Sequence, residues 1–214
     1  MKRVVCLCIL LFLIGFVEAQ ERLSQRKMSF QGYSGGMLFH MGYVKGSRFD
    51  VYDMQGNILK TCAVEGMPRG LGGAIRFKFG KCIRIGGGGY ASTIKYNGND
   101  SYMRVGWGGL LADCVWKINR WLPYAGATVG GGGVKNLTLL QDTKDDFVVE
   151  PYVLYRKSSI FTITPFAGVE FALTPKINIV FMFDYQFELS KKSTNYYASG
   201  TRFYIGIMFN RMTY

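Results

Sequence analysis

Residues 176–189 read KINIVFMFDYQFEL, and their alternation limits what the chain can fold into. Ile177, Ile179, Phe181, Phe183, Tyr185 and Phe187 fall on one face, with Asn178, Val180, Met182, Asp184, Gln186 and Glu188 on the other. A period of two sustained over a dozen residues specifies a strand. One face is large and aromatic, suited to hydrocarbon. The other turns polar along its length, suited to a hydrogen-bonded interior. The preceding stretch, 161–173, alternates in the same sense, with Phe161, Ile163, Ala167, Val169 and Phe171 sharing the apolar face. A turn at Thr174-Pro175-Lys176 joins the two into a hairpin that opposes Phe171 to Ile179 and Val169 to Phe181. Both strands then put their aromatics on the same side, so the register is self-consistent.

A second hairpin follows from 74–79 and 83–96, turning at Gly80-Lys81. Ile75, Phe77, Phe79, Ile83 and Ile85 share an outer face, and Arg76, Lys78 and Arg84 an inner one, with Lys78 and Arg84 opposed near the short-turn end. Extending this reading gives eight strands: 32–45, 70–79, 82–96, 102–116, 120–135, 159–173, 176–189 and 201–211. Each has about the ten residues that a tilted spanning strand needs. The connections alternate between long (46–69, 97–101, 136–158, 190–200) and short (80–81, 117–119, 174–175). That asymmetry is expected of a barrel with short periplasmic turns and longer external loops. The segment FVVEPYVLY at 147–155 is also strand-like. Pro151 disfavours it as a central strand, and it is read as part of a long external loop extending its neighbours. A ten-strand barrel, with a further strand drawn from 48–64, is the alternative.

The N-terminus specifies where such a sheet would reside. Lys2 and Arg3 precede an apolar run from Val4 to Val17, and Val17-Glu18-Ala19 has the form of a cleavage site. Residues 1–19 are therefore read as a secretory signal peptide, 20–31 as a short N-terminal segment and 32–214 as the barrel. Losing the signal leaves 24 basic and 13 acidic residues, a net charge of +11. Export argues against nucleic acid as the counterpart of this charge. Phosphorylated lipid headgroups and lipopolysaccharide fit better. Three cysteines remain after cleavage, Cys62, Cys82 and Cys114, without a C-x-x-C pair, which argues against a zinc site or a disulfide framework. Cys82 and Cys114 fall near the same end of neighbouring strands, and buried thiols are favoured over a bridge. Mean hydropathy is slightly positive, and aromatics make up 15% of the chain. Such apolar content, without a spanning helix after the signal, points to an all-β transmembrane barrel.

Two four-glycine runs, IRIGGGGYAS at 83–92 and TVGGGGVKN at 128–136, lie within strands. Neither is followed by the Lys-Ser/Thr of a phosphate loop. Alternation puts Gly86 and Gly88 inside and Gly87 and Gly89 outside. Inward glycines are expected to make room for large side chains from other strands and to let the sheet bend.

On the inner face, Arg76, Lys78, Arg84 and Arg202 meet Glu170, Asp184 and Glu188, read as a charge network that plugs the lumen. His40, the single histidine, has no His-x-Ser neighbour and is read as a lumen side chain rather than a base. Trp116 and Trp121 flank the turn at 117–119, are expected to oppose each other across it, and with Tyr124 form an interfacial aromatic girdle. Asn97-Gly98-Asn99-Asp100 and 142–146 are polar loop tips. No catalytic residue, metal ligand or cofactor is assigned, and a structural or surface-interaction role is expected. The alternatives are a lipid acyl hydrolase or transferase, which would need a second catalytic residue beside His40, and a narrow pore, which would need a continuous watery lumen.

Three stretches, WLPYAGATVGGG at 121–132, PFAGVEFALTPKINI at 165–179 and GTRFYIGIMF at 200–209, resemble the small eight-stranded outer-membrane barrels of the OmpA/OmpX type, in the form common in Bacteroidota. The resemblance covers about residues 30–214. It implies an antiparallel up-and-down barrel in a bacterial outer membrane, surrounded by outer-membrane lipids and lipopolysaccharide, with loops 46–69 and 136–158 offered to a surface ligand. It also implies that Gly206 and Phe209 belong to the C-terminal signal read by the barrel-assembly machinery. The chain departs from that pattern by running on to Arg211-Met212-Thr213-Tyr214.

Overall fold

The computed structural model describes residues 29–52, 58–96, 101–139, 153–189 and 198–214. The expected signal peptide, most of the N-terminal segment, and the loop tips at 97–100 and 142–146 lie outside the described residues. Ten strand segments are present: β1 (Phe30–Tyr52), β2 (Ile58–Gly66), β3 (Arg69–Phe79), β4 (Ile83–Tyr96), β5 (Ser101–Val115), β6 (Trp121–Leu139), β7 (Val153–Thr174), β8 (Ile177–Tyr185), β9 (Phe187–Glu188) and β10 (Ala198–Asn210).

All pairings are antiparallel, and β10 returns to pair with β1, Ser34 opposite Asn210 through Gly46 opposite Ala198. The ring so closed has eight members: β1, β3, β4, β5, β6, β7, β8 and β10. The two further segments prolong members of this ring. β2 continues β3 after a break at Met67-Pro68, where proline cannot donate to the ladder. It pairs with the upper half of β1 from Val44 opposite Gly66. β9 continues β8 after Gln186 and pairs with β7. The ten-strand alternative therefore does not hold: residues 58–66 lengthen an existing hairpin and add no wall member. Much of what was expected as loop is strand. β1 runs to Tyr52, and Val153–Ser158 of β7 pairs with Leu139–Val134 of β6.

The expected hairpin registers are present. Phe171 faces Ile179 and Val169 faces Phe181, while Lys78 faces Arg84. The turn at 117–119 differs. Ile118 bridges Trp121, and the Trp116 amide donates to the Pro123 carbonyl. The tight turn thus centres on Asn119-Arg120, with Asn119 at φ 56°, a left-handed conformation that asparagine tolerates. Trp116 and Trp121 do not oppose each other.

Alternation sorts the wall into two faces. Outward lie Phe39, Ile75, Ile85, Leu110, Phe161, Phe181, Phe203 and Ile207, all exposed. Inward lie two apolar clusters. One, toward the long connections, is built on Val44, Val64, Ile94, Met103, Trp107 and Ile160. The other, toward the short turns, is built on Leu38, Leu111, Leu122, Phe166, Val180 and Met208.

The glycine runs serve the wall rather than the lumen filling. A Cβ on Gly86 would sit 1.9 Å from the Ile75 carbonyl oxygen of the adjacent strand, and one on Gly132 would sit 2.0 Å from that of Gly106. Strong local curvature presses backbone against backbone there. Room for large partners is made elsewhere, at Gly70 beneath His40 and at Gly168 beneath the Tyr124 ring.

Candidate functional site

The lumen holds a compact ionic cluster toward the short-turn end. Period two on β3 and β4 sends Arg76 and Arg84 inward, and both are buried. Arg84 makes a forked contact with Asp113, Nε to Oδ1 at 2.6 Å and Nη2 to Oδ2 at 3.2 Å. Its Nη1 donates to Glu170 Oε1 at 2.6 Å, and Arg76 Nη1 donates to the same oxygen at 2.8 Å. Arg76 Nε lies 3.3 Å from Asp113 Oδ2. Asn178 Nδ2 donates to Glu170 Oε2 at 2.8 Å. Two guanidinium groups thus share two carboxylates, and the charges balance in a place where an unpaired charge would be costly.

The Tyr124 ring packs against both guanidinium groups, 4.7 Å from Arg76 Cζ and 4.9 Å from Arg84 Cζ. This corrects its assignment to the girdle. Tyr124 is buried, because it lies three residues after the outward Trp121 and so has inward parity. Trp116 and Trp121 are exposed on the outer surface, and Trp121 meets Phe171 of β7 at 4.7 Å between ring centroids.

Lys78 takes a different partner. Its Nζ donates to the Thr213 carbonyl at 2.6 Å and lies 4.1 Å above the Tyr214 ring. The residues that run on past β10 are part of the packed structure. Arg211 and Thr213 donate their amides to Tyr33 and Gln31, continuing the ladder past β10 beside a bulge in β1 at Gly32, φ 109°. Met212 is buried, and burial pushes the pKa of the Tyr214 phenol up to about 12.

A second polar group lies higher in the lumen. Arg202 stands opposite Asp184 on paired strands. Tyr204 donates to Asp184 Oδ2 at 2.7 Å, Tyr90 donates to Gln186 Oε1 at 2.7 Å, Arg202 donates to that same Gln186 oxygen, and Gln186 Nε2 donates to Thr162 Oγ1 at 3.0 Å. His40 is fully buried between the Tyr90 and Tyr204 rings, at 5.0 and 5.2 Å between centroids. Among the described residues neither of its ring nitrogens has a hydrogen-bond partner. Glu188 stands apart: it pairs across from Thr162, is half-buried, and its Oε1 has no partner among the described residues.

Sequence reasoning missed Asp113. The signal was present, since LLADCV alternates and Asp113 shares inward parity with Leu111 and Val115, directly opposite Arg84. Cys82 and Cys114 are unbridged thiols near one end of adjoining strands. No cluster of His, Cys, Asp and Glu able to hold a metal ion occurs among the described residues.

Neither a protein-family model nor a curated protein matches the sequence. Solved structures do match the fold. Neisserial surface protein A superposes with a TM-score of 0.54 at 12% identity, over 85% of this chain and 98% of that one. Ail of Yersinia pestis gives 0.49 at 16% identity, over 84% and 98%. OprG of Pseudomonas aeruginosa gives 0.49 at 10% identity, over 85% and 97%. At 12% identity the likeness to Neisserial surface protein A concerns architecture alone, and with the closed ring of eight antiparallel strands it shows that the chain has the fold of the small outer-membrane β-barrels.

Proposed function

We propose that the protein is a non-catalytic barrel of a bacterial outer membrane, exported through a leader cleaved after Ala19. Its lumen is plugged, and the strands that rise past the apolar band present a contact surface at the long-loop end. The observation that carries this reading is the Arg76–Arg84–Asp113–Glu170 cluster. With Tyr124 and Asn178 it links β3, β4, β5, β6, β7 and β8 across the lumen. The cavity above it, lined by Leu38, Arg76, Tyr90, Phe166 and Asp184, is about 40 Å³, room for a few waters at most. An ion would have to displace the fixed charges to pass. Lipid acyl transfer would need a nucleophile hydrogen-bonded to a base and open to lipid, and His40 supports neither condition.

The experiment is conductance in planar bilayers. The mature chain should insert without producing channel steps. Steady single-channel current from the unmodified protein would overturn the plug, and a mature chain monodisperse in water without detergent would overturn the membrane reading. Phe209, 64% exposed on the outer surface of β10, fits a role in delivery to the assembly machinery. Phe209→Ala should lower the amount assembled in cells while leaving refolding into detergent unchanged, as read by gel mobility before and after heating.

A further inference from the structure

Just above the apolar band, the outer wall of β5, β6 and β7 carries cations in direct register. Arg104 stands opposite Lys135, and Lys135 opposite Lys157. All three side chains are exposed, and Lys95 projects on β4 beside them. Like charges directly opposed on paired strands destabilise a sheet. No ion pair found among the described residues involves any of these cations: the pairs are Lys45 with Glu65 and those of the lumen cluster. Arg104 is also steadied over the Tyr102 ring at 4.9 Å. Among the described residues, this row of positive charge on the outer surface has no acidic partner.

The wall directly below is bare. In the next outward register positions stand Ala91, Gly106, Gly133 and Ser159, and below them Gly89, Gly108, Gly131 and Phe161. A Cβ on Gly106 or Gly133 would meet nothing within 4 Å, and one on Gly108 would meet only an ordinary contact at 3.6 Å. At Gly106, Gly108 and Gly133 the chain's own packing does not require glycine, whereas a Cβ on Gly89 or Gly131 would press on neighbouring backbone at 2.6 and 2.9 Å. Leu110 and Phe161 border the flat area. A surface that is apolar and flat below and cationic above fits one kind of molecule, with straight acyl chains beneath a phosphorylated head.

We infer that Arg104, Lys135 and Lys157, above the Gly106–Gly133 wall, form a seat for a phosphorylated glycolipid of the outer leaflet. The phosphates lie against the cation row and the acyl chains against bare backbone. This rests on the outer-membrane reading proposed above and adds a defined lipid, held on one side of the barrel, to it.

The test uses the full mature chain refolded into phosphatidylcholine vesicles containing a minor fraction of bisphosphorylated lipid A, or of the same lipid dephosphorylated. The protein is then released in mild detergent and bound lipid is counted by native mass spectrometry. The phosphorylated lipid should be retained and the dephosphorylated one lost. The double variant Arg104→Gln/Lys135→Gln should weaken retention by about thirtyfold, since each cation near a lipid surface is worth about fivefold. Gly106→Leu/Gly133→Leu should weaken it while leaving the cations intact, and Lys81→Gln/Lys176→Gln at the opposite rim should not. Equal retention of the two lipids, equal retention by the first double variant, or a protein dimer in place of bound lipid would each overturn the inference while leaving an inserted barrel standing. Failure to insert into any vesicle would overturn both readings.

Discussion

Glu170 is the pivot of the lumen, because both arginines donate to its Oε1 and Asn178 to its Oε2. Glu170→Gln keeps the shape and removes the charge. The two guanidinium groups would then share Asp113 alone, leaving one buried positive charge uncompensated. The expected loss is about 3–5 kcal/mol, measured as a lowered urea midpoint in detergent micelles. Asp113→Asn should cost about as much, because it strips the forked partner from Arg84. The two losses together should fall short of their sum, since both residues serve the same cations. A loss below about 1 kcal/mol for either single variant would mean that water already screens the cluster.

At the level of the strand, the glycine runs make a sharper prediction than composition would suggest. Gly132 and Gly133 are neighbours in sequence on opposite faces of β6. Gly132→Ala puts a methyl into the Gly106 carbonyl and should destabilise by about 1–3 kcal/mol. Gly133→Ala meets open space and should change stability by no more than about 0.5 kcal/mol. Equal effects would refute the assignment of faces. The same parity explains what was legible beforehand. Where alternation is strict, as in 161–173 and 176–189, faces and register follow from the sequence, because a slip of one residue would turn every aromatic inward. The inward set Arg76, Lys78, Arg84, Glu170, Asp184 and Arg202 is readable for that reason. Tyr124 was misplaced by grouping it with tryptophans of like chemistry instead of counting from Trp121. The Trp116–Trp121 opposition failed because nothing in Lys117-Ile118-Asn119 declares that Asn119 takes a positive φ. Which acid meets which base was not readable either. Contacts across a lumen join strands distant in the chain, and Arg76 to Glu170 spans 94 residues.

For the whole molecule, closure by β10 on β1 removes every sheet edge from the wall, as hydrocarbon demands of any spanning sheet. The folded protein should migrate faster than the boiled chain on gels and resist protease along the ring. The C-terminal residues extend that closure. Deleting Arg211–Tyr214 would remove two ladder bonds and both contacts of Lys78, and should lower the temperature at which gel mobility changes while leaving the barrel able to form.

The pairing of β10 with β1 also imposes an order of events. The two partners stand at opposite ends of the described chain, so the cylinder cannot lock until its last-made segment has been delivered. Until then the first strand must wait with one flank unsatisfied, either in water or shielded by a helper. A ribosome that stalls before Ala198 would release an open ribbon with two sticky borders.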